Sequence, residues 1–191
     1  FCDDFPDQGF SVHKGDISNA DDCRRTIAEV IDKHGRLDIL VNNAGITADR
    51  TVLKMTDDDW RRVIDVNLSG AFYLCRAVIP GMVRRQSGRI IQIGSMWGKV
   101  GASCEAAYSA AKAGLRGLTM ALAKELGPSG ITVNCVEPGL IDTEMNAALD
   151  ADTRRALCAD TPLGRIGTPA DVAAAVAFLA SPEAGFITGQ V

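Results

Sequence analysis

The sequence has few histidines, few aromatic residues and no excess of basic charge. Only 2 of its 191 residues are histidine, 5% are aromatic, and the formal net charge at pH 7 is -4. Because a phosphate backbone attracts clustered basic side chains, nucleic acid is not an expected partner of this acidic chain. Neither His13 nor His34 has a Cys, Asp or Glu at ligand spacing within the candidate site. Neither a metal centre nor a Ser-His-Asp hydrolase is therefore expected.

Paired cysteines and long apolar runs are also missing. The cysteines form no CxxC pair, and several lie in apolar segments where a reduced thiol acts as a small hydrophobic side chain. The opening FCDDFPDQGF has no basic or apolar leader, and no run reaches the roughly 18 apolar residues of a membrane span. A cytoplasmic protein that does not span a membrane is therefore expected. The six cysteines are Cys2, Cys23, Cys75, Cys104, Cys135 and Cys158.

Short β-branched runs alternate with longer amphipathic runs, the pattern of parallel strands joined by helices. Strands are predicted at residues 10–14, 37–41, 88–94 and 131–136. Helices are predicted at residues 19–34, 56–85, 106–127 and 168–179, with Pro80 bending or dividing the second. No repeat or linker interrupts this pattern, so residues 1–191 are predicted to form one α/β domain with a doubly wound parallel sheet.

Both ends of the predicted domain look incomplete. A dinucleotide-binding sheet of the Rossmann type begins with a strand, a Gly-rich turn and a helix whose N-terminus receives the pyrophosphate. No such segment precedes Phe1, and the chain ends at ITGQV, where another strand is expected to begin. The prediction is a fold without its first strand-turn-helix and its last strand.

The strongest chemical signal is the pair Tyr108 and Lys112, which lie at positions i and i+4 of a predicted helix and so share one face. A nearby ammonium favours the phenolate and lowers the tyrosine pKa, which is about 10 for a free side chain. Ser95, at the end of a predicted strand, would hydrogen-bond the same substrate carbonyl. The alternatives are an exposed Tyr-Lys pair on a helix surface and a serine that ends a strand.

Several motifs, taken in order, resemble those of the short-chain dehydrogenase/reductase family over essentially the whole chain. The residues concerned are Asn42-Asn43-Ala44-Gly45, Asn67, Ser95, Tyr108-x-x-x-Lys112 and Pro138-Gly139. The segments ILVNNAGITADR, GRIIQIGS, YSAAKAGLRGLT, ITVNCVEPGLIDTEM and FLASPEAGFITG are similar to those of 3-oxoacyl-[acyl-carrier-protein] reductases and acetoacetyl-CoA reductases. The resemblance implies a fatty-acid-synthesis type of oxidoreductase that reduces a 3-oxoacyl thioester to the 3-hydroxyacyl thioester.

The resemblance also implies four catalytic roles. Tyr108 would be the general acid, and Lys112 would lower its pKa and hydrogen-bond the nicotinamide ribose. Ser95 would hold the substrate carbonyl. Asn67 would hold, at a kink in its helix, a water that links Lys112 to solvent; the alternative is a helix-interior Asn bonded to its own backbone.

The implied cofactor contacts lie in three segments. Asp16 and the Ile17 backbone would meet the adenine, although Asp16 could instead cap the following helix. A tight turn after a strand would let the backbone approach the dinucleotide. The third segment, which begins at Pro138, would contact the nicotinamide carboxamide. Without the resemblance, this segment would be interpreted as an ordinary turn. The turn consists of Asn43, Ala44 and Gly45, and the third segment contains Pro138, Gly139, the Ile141 backbone and Thr143.

The resemblance suggests NADP(H) as cofactor, with NAD(H) as the alternative, because the residues that distinguish them would precede Phe1. Gln86 and Ser129 stand where related reductases often carry arginines that dock the acyl carrier protein, although Arg84 and Arg85 might replace one of them. The acyl thioester could therefore be carried by CoA or by the carrier protein. No metal is required.

The substrate side is predicted to include Trp97 together with Ser95 and Tyr108. Residues 96–99 and 101–105, which follow Ser95, are predicted to line it. Trp97 is equally well explained as a wall of the substrate site or as a core or subunit-contact residue. Residues 146–163 are predicted to form a mobile lid.

Two helical regions, residues 68–85 and 106–127, are apolar on more than one face, which together with the resemblance predicts a homotetramer. Two other functions stay open. One is a short-chain dehydrogenase acting on another secondary alcohol or ketone, such as a sugar or steroid. The other is a non-catalytic dinucleotide-binding fragment.

Overall fold

A computed structural model describes residues 9–146 and 149–191 of the chain. Within them, three parallel strands form one sheet in the order β1 (Ile39–Asn42), β2 (Gly88–Ile93) and β3 (Ile131–Val136). Leu40 pairs with Ile90, and Ile90 pairs with Val133. Each connection between these strands contains helices, as parallel pairing requires, and the sheet is of the predicted parallel α/β type.

Seven α-helices accompany the sheet in the described residues. They are α1 (Ala20–His34), α2 (Asp57–Ile64), α3 (Gly70–Arg85), α4 (Trp97–Val100), α5 (Ala106–Leu126), α6 (Ala151–Asp160) and α7 (Pro169–Ala180). A π-helical turn, Asp65–Ser69, joins α2 to α3, and short 3-10 turns occur at Gly127–Ser129, Glu144–Asn146 and Pro182–Ala184.

The helix starts follow from their capping residues. The Asn19 side chain accepts hydrogen bonds from the amides of Asp21 and Asp22, and α1 ends at Gly35, whose φ of 79° suits glycine. Thr56 and Thr168 each open a helix with a capping box. The predicted bounds of these helices are therefore confirmed to within a residue at the capped ends.

One face of the sheet carries the main apolar core. Alternate residues of the three strands, including Leu40, Ile90 and Val133, pack against α1, α3 and α5. Cys75 and Cys135 are buried, and burial raises the pKa of each thiol to about 11, so both are neutral hydrophobic side chains as predicted. Cys2 lies outside the described residues.

Helix α7 covers part of the other face, where it contacts β2 and β3. Ile39 and Val41 of β1 face this side and are exposed. Helices therefore flank both faces of the sheet, as the doubly wound prediction requires. The expectation that residues 1–191 are a single domain stays a prediction.

Residues 10–14 do not form the predicted strand, and the described sheet has three strands instead of four. A strand requires a neighbouring strand that exchanges backbone hydrogen bonds, whereas the described sheet begins at β1. Val12 is 72% exposed, so the alternating apolar pattern of this segment is not used to fill a core.

Pro80 does not divide its helix, because α3 continues through it to Arg85. A proline in a helix removes one backbone hydrogen bond, and the packing of α3 against α1 and the sheet compensates for the loss. The interruption occurs earlier, at the π-helical turn that contains Asn67.

The run Asp57–Arg85 is long and apolar enough to cross a membrane by length and composition, contrary to the expectation that no run would be. In this structure its side chains Val63, Cys75, Val78 and Met82 are buried in the domain, and α3 packs against α1. We interpret the run as a core helix.

The residues after α7 return to the sheet. The Cys135 amide donates to the Gln190 carbonyl at 2.8 Å, and the Gly189 amide donates to the Val133 carbonyl at 2.7 Å. The segment that was expected to start a further strand thus hydrogen-bonds along the free edge of β3.

Candidate active site

The candidate catalytic residues meet at the carboxyl edge of the sheet. Because the three strands are parallel, the segments that follow them emerge at the same edge, and the start of α5 lies above it. A cavity of about 450 Å³ opens there, with Ser95, Tyr108 and Lys112 in its wall. Its other predicted residues are Asn43, Gly45, Pro138, Gly139, Ile141 and Thr143.

Lys112 is the most deeply buried charged residue of the site, with 3% of its surface exposed. Its Nζ donates a hydrogen bond to the Ile93 carbonyl at 2.7 Å and lies 5.4 Å from the centre of the Tyr108 ring. Burial lowers the pKa of Lys112 to about 8. The side chain is therefore still mostly protonated at neutral pH, but its ammonium is only weakly stabilised.

The Tyr108 pKa is raised, whereas the sequence predicted that Lys112 would lower it. Burial is the main cause; a hydrogen bond with Ser95 lowers the pKa and the Glu105 carboxylate raises it further. The Lys112 ammonium hydrogen-bonds the Ile93 carbonyl and approaches the face of the ring. Tyr108 is thus held in its protonated form, the form that a general acid needs.

Ser95 follows β2 and is buried. Its Oγ accepts a hydrogen bond from the Trp97 amide at 3.2 Å and also interacts with Tyr108. Ser95 therefore stabilises the turn after β2, as expected for a serine that ends a strand. Its hydroxyl also lies next to Tyr108, the candidate general acid.

Asn67 hydrogen-bonds the backbone of its own helix, the alternative given for it, and its role in holding a water stays a prediction. Its Nδ2 donates to the carbonyls of Val63, one turn earlier in its own helix, at 2.8 Å and of Ile46 at 2.9 Å. Its Oδ1 is buried and accepts no hydrogen bond from the described residues. The side chain therefore holds the loop after β1 while leaving one buried acceptor free.

Gly45 lies where Asn67 and Lys112 converge. A Cβ built on Gly45 would be 2.6 Å from Asn67 Oδ1 and 3.4 Å from Lys112 Nζ. A side chain at this position would displace Asn67, so the glycine is required by this close approach.

The predicted adenine contacts lie away from the main cavity. Asp16 and Ile17 line a recess of about 120 Å³, and Ile17 and Ala44 line a second recess of about 60 Å³ together with Asn67. The Asp16 carboxylate accepts hydrogen bonds from the Ser18 amide and hydroxyl, which lower its pKa. Helix α1 is capped by Asn19 and not by Asp16.

A second cavity, of about 440 Å³, shares Ser95 and Tyr108 with the first. Its wall contains both polar and apolar residues, and Trp97 is one of the apolar ones. Besides Ser95 and Tyr108, the polar residues are Thr47, Asp49, Ser103, Glu105 and Asn146, and the larger apolar residues are Met96, Trp97, Leu140, Met145, Leu149 and Leu157. Trp97 lines this cavity, and its role as a wall of the substrate site stays a prediction.

Sequence reasoning expected Glu105 to line the substrate side but missed the neighbouring Asp49. Burial and the neighbouring Asp49 carboxylate raise the pKa of Glu105 to about 7. Its Oε2 is buried without a hydrogen-bond partner in the described residues. Their spacing in the sequence predicts that Glu105 lies near Tyr108, because residues three apart lie on the same side of the helix start.

Sequence reasoning also missed an ion pair between Arg116 and Glu137. It links α5, one turn beyond Lys112, to the residue that precedes Pro138 and Gly139. The Glu137 side chain is only 11% exposed. The pair ties the helix that carries Tyr108 to the turn that lines the cavity.

The predicted lid, residues 146–163, is described in part, because residues 147–148 lie outside the described residues. Its helix α6 contributes Leu157 to the second cavity. No three His, Cys, Asp or Glu side chains cluster as a metal site in the part of the chain that the structure describes. Both the mobility of the lid and the expected lack of a metal stay predictions.

Comparison with protein families supports the resemblance seen in the sequence. A family model described as "Enoyl-(Acyl carrier protein) reductase" matches residues 3–191. This match covers nearly the entire chain.

Curated relatives carry names of 3-oxoacyl and acetoacetyl reductases. The chain is 44% identical over 174 residues to a 3-oxoacyl-[acyl-carrier-protein] reductase of Vibrio cholerae, covering 91% of this chain and 71% of the relative. It is 45% identical over 184 residues to an acetoacetyl-CoA reductase of Allochromatium vinosum, covering 95% of this chain and 75% of that relative. It is 50% identical over 156 residues to a 3-oxoacyl-[acyl-carrier-protein] reductase of Escherichia coli, covering 82% of this chain and 64% of that relative.

Proposed function

Because the chain belongs to the short-chain dehydrogenase/reductase family, we propose that it reduces a 3-oxoacyl thioester to the 3-hydroxyacyl thioester with NADPH as the reductant. The observation that carries this proposal is the meeting of two cavities at Ser95 and Tyr108. One has the size and walls for the nicotinamide end of a dinucleotide, and the other for a small ketone-bearing substrate.

Membership of the family makes the chain an oxidoreductase with a nicotinamide dinucleotide cofactor. The residues present fit this group. The close approach at Gly45 leaves backbone exposed to the first cavity, and Asn43, Pro138 and Thr143 line the same space. When bound, the nicotinamide supplies the hydride that the carbonyl carbon receives.

The proton is the contribution of the protein. Ser95 and Tyr108 would hydrogen-bond the carbonyl oxygen, and Tyr108 would donate its proton to that oxygen as the carbon is reduced, which completes the alcohol. Lys112 would stabilise the resulting phenolate. The free Oδ1 of Asn67 would orient the water through which a proton returns to Lys112 and Tyr108.

CoA is the proposed carrier of the substrate, with the acyl carrier protein as the alternative. Gln86 and Ser129 supply no positive charge where docking arginines are common. Arg85 is engaged with the Leu37 carbonyl and Asp38, whereas Arg84 is exposed. Arg84 by itself offers little attraction to an acidic carrier protein.

The description of the matching family model favours a second candidate, reduction of a carbon-carbon double bond in an enoyl thioester. The Tyr108-Ser95 pair argues for the ketone, because two hydroxyl groups at one point suit a developing alkoxide oxygen. The names of the relatives also describe ketone reduction.

The test is oxidation of NADPH and of NADH with acetoacetyl-CoA, with crotonyl-CoA as the matched double-bond substrate. We expect loss of NADPH with acetoacetyl-CoA and none with crotonyl-CoA. Activity with crotonyl-CoA alone would establish the second candidate. If the folded protein were inactive on both substrates, the two other functions would be favoured: another alcohol dehydrogenase or a non-catalytic dinucleotide-binding protein.

We also propose a cytoplasmic homotetramer. On α3, Phe72 is exposed and Arg76 lies 5.1 Å from the centre of its ring, and on α5 Met120 is exposed. These apolar groups on two neighbouring helices suit burial between subunits. Sedimentation equilibrium checks the prediction, and a monomer at working concentration would contradict it.

A further inference from the structure

The ion pair between Arg116 and Glu137 lies at a junction of three segments of the candidate active site. Arg116 is on α5, one turn beyond Lys112, and Glu137 follows β3. The Glu137 side chain also packs over Gly94, which follows β2, because a Cβ built on Gly94 would be 2.8 Å from Glu137 Cγ. Glu137 therefore contacts both α5 and the end of β2.

The strand pattern predicts an apolar side chain at position 137. Ile131, Val133 and Cys135 of β3 are buried, and Glu137 is the next residue on the same face because side chains alternate along a strand. The carboxylate is instead desolvated: the Glu137 side chain is only 11% exposed, and its Oε1 has no hydrogen-bond partner among the described residues. Burial of this carboxylate opposes folding.

Stability alone does not account for an ion pair at this place. Apolar side chains of similar volume commonly stabilise a protein as well as a buried ion pair does, because they have no charge to desolvate. An ion pair differs from an apolar contact in being directional. The charge-assisted hydrogen bond from Arg116 to Glu137 fixes both the distance and the orientation of the groups that it joins.

Two other hydrogen bonds join the remaining pairs of segments at this junction. The Met96 amide donates to the Pro138 carbonyl at 3.0 Å, which links the segments that follow β2 and β3. Lys112 Nζ donates to the Ile93 carbonyl at 2.7 Å, which links α5 to β2. The ion pair supplies the third link, between α5 and the segment that follows β3.

We propose that Arg116 and Glu137 are positioning residues for the reduction, which set the distance between Tyr108 on α5 and the turn at Pro138 and Gly139. This inference rests on the proposed function. The turn would contact the nicotinamide, which supplies the hydride, and Tyr108 would supply the proton. Both must reach the same carbonyl group, so a small shift of α5 relative to the turn slows the chemical step while substrate binding is retained.

The experiment removes the ion pair without leaving a buried charge. In the double variant Arg116→Met, Glu137→Leu, apolar side chains replace both partners, so its free energy of unfolding should equal or exceed that of the wild type. Glu137→Leu alone leaves Arg116 without its partner and should be less stable than the double variant. Denaturant unfolding measures these differences.

The rate of the chemical step is measured in a single turnover of acetoacetyl-CoA, with the reduced cofactor already bound. We expect a fall of about tenfold in the double variant, because a misplacement of about 1 Å can cost about a hundredfold. The KM for acetoacetyl-CoA should change little. Arg116→Lys keeps the charge without the planar guanidinium and should give an intermediate rate. Met82→Ala, which is destabilised but keeps the pair, should react at the wild-type rate per folded molecule.

Hydrogen exchange of the protein without cofactor gives a second readout that does not depend on activity. The Met96 amide reports on the link between the segments that follow β2 and β3. Its protection should be lost in the double variant, even though global stability is retained. The Ile90 amide, in the middle of β2, is the internal control and should exchange as in the wild type.

Three results would overturn the inference. A stable double variant with the wild-type single-turnover rate would show that the pair has no positioning role, although the proposed function would stand. If the double variant fails to fold, a wild-type rate in Arg116→Lys together with wild-type Met96 protection would have the same meaning. A wild-type protein that reduces acetoacetyl-CoA with neither NADPH nor NADH would overturn the proposed function and this inference with it.

Discussion

The two ends of the layer between α5 and the sheet are built differently. At the end of α5 remote from the candidate site, Leu122 and Leu126 pack with Met82 and Ile131 in an apolar core. At the start of α5 the buried groups include polar and charged side chains: Lys112, Asn67 and Ser95 lie within the protein. The same helix therefore contributes to the stable core at one end and to the candidate chemistry at the other.

The two ends of this layer contribute to the stability of the fold with opposite sign. Apolar burial at the remote end stabilises the fold by about 25 cal/mol per Å². Burial of Lys112, and of Asn67 Oδ1 without a partner, costs free energy that this packing must offset. Substitutions at the two ends should consequently separate stability from activity.

The largest expected effect is on turnover at the site end. Tyr108→Phe removes the proton donor, and we expect kcat to fall at least about a hundredfold, the lower range for general acid catalysis. The melting temperature should change little, because the ring remains. Tyr73→Phe, a tyrosine on α3, is the control and should keep normal kcat. Near-normal turnover by Tyr108→Phe would show that another group donates the proton.

The next effect is on stability at the remote end. Met82 is fully buried, so Met82→Ala should cost about 2–5 kcal/mol of unfolding free energy through lost packing and a new cavity. The kcat per folded molecule should be unchanged. Leu53→Ala, where the side chain is 99% exposed, should cost much less. Denaturant unfolding measures both, and equal costs would contradict the assignment of the core to this end.

The smallest expected effect is a pH dependence at the site end. The folded-state pKa of Glu105 is raised to about 7 from an ordinary value of 4.5, so the folded protein binds a proton that the unfolded chain has lost between these values. The stabilising effect of this proton is complete below pH 4.5 and is lost as the pH rises through 7. Glu105→Gln should therefore melt a few degrees higher than the wild type at about pH 8, and this difference should shrink at about pH 5.

The matched control for this pH dependence is Glu125→Gln, an exposed glutamate on the same helix. Its melting temperature should follow that of the wild type at both pH values. A difference between Glu105→Gln and the wild type that does not vary with pH would mean that Glu105 titrates in the ordinary range.

Local signals predicted a large part of the fold. Asn19 and Gly35 bound α1, and Thr168 opens α7, because caps act on backbone groups within a turn of the residue concerned. Residues 10–14 have a strand-like pattern without forming a strand, since pairing depends on a neighbour that a local pattern does not contain. Pro80 remains inside α3 for a similar reason, because tertiary packing outweighs its intrinsic tendency to break a helix.

The sequence by itself determined the family and the spacing of Tyr108 and Lys112, because motif order and helical periodicity are properties of the chain. Only the tertiary structure decided that burial raises the pKa of Tyr108 and of Glu105 and lowers that of Lys112, and that Arg116 meets Glu137. Burial, desolvation and cavities arise where distant segments come together, so no local pattern of residues specifies them.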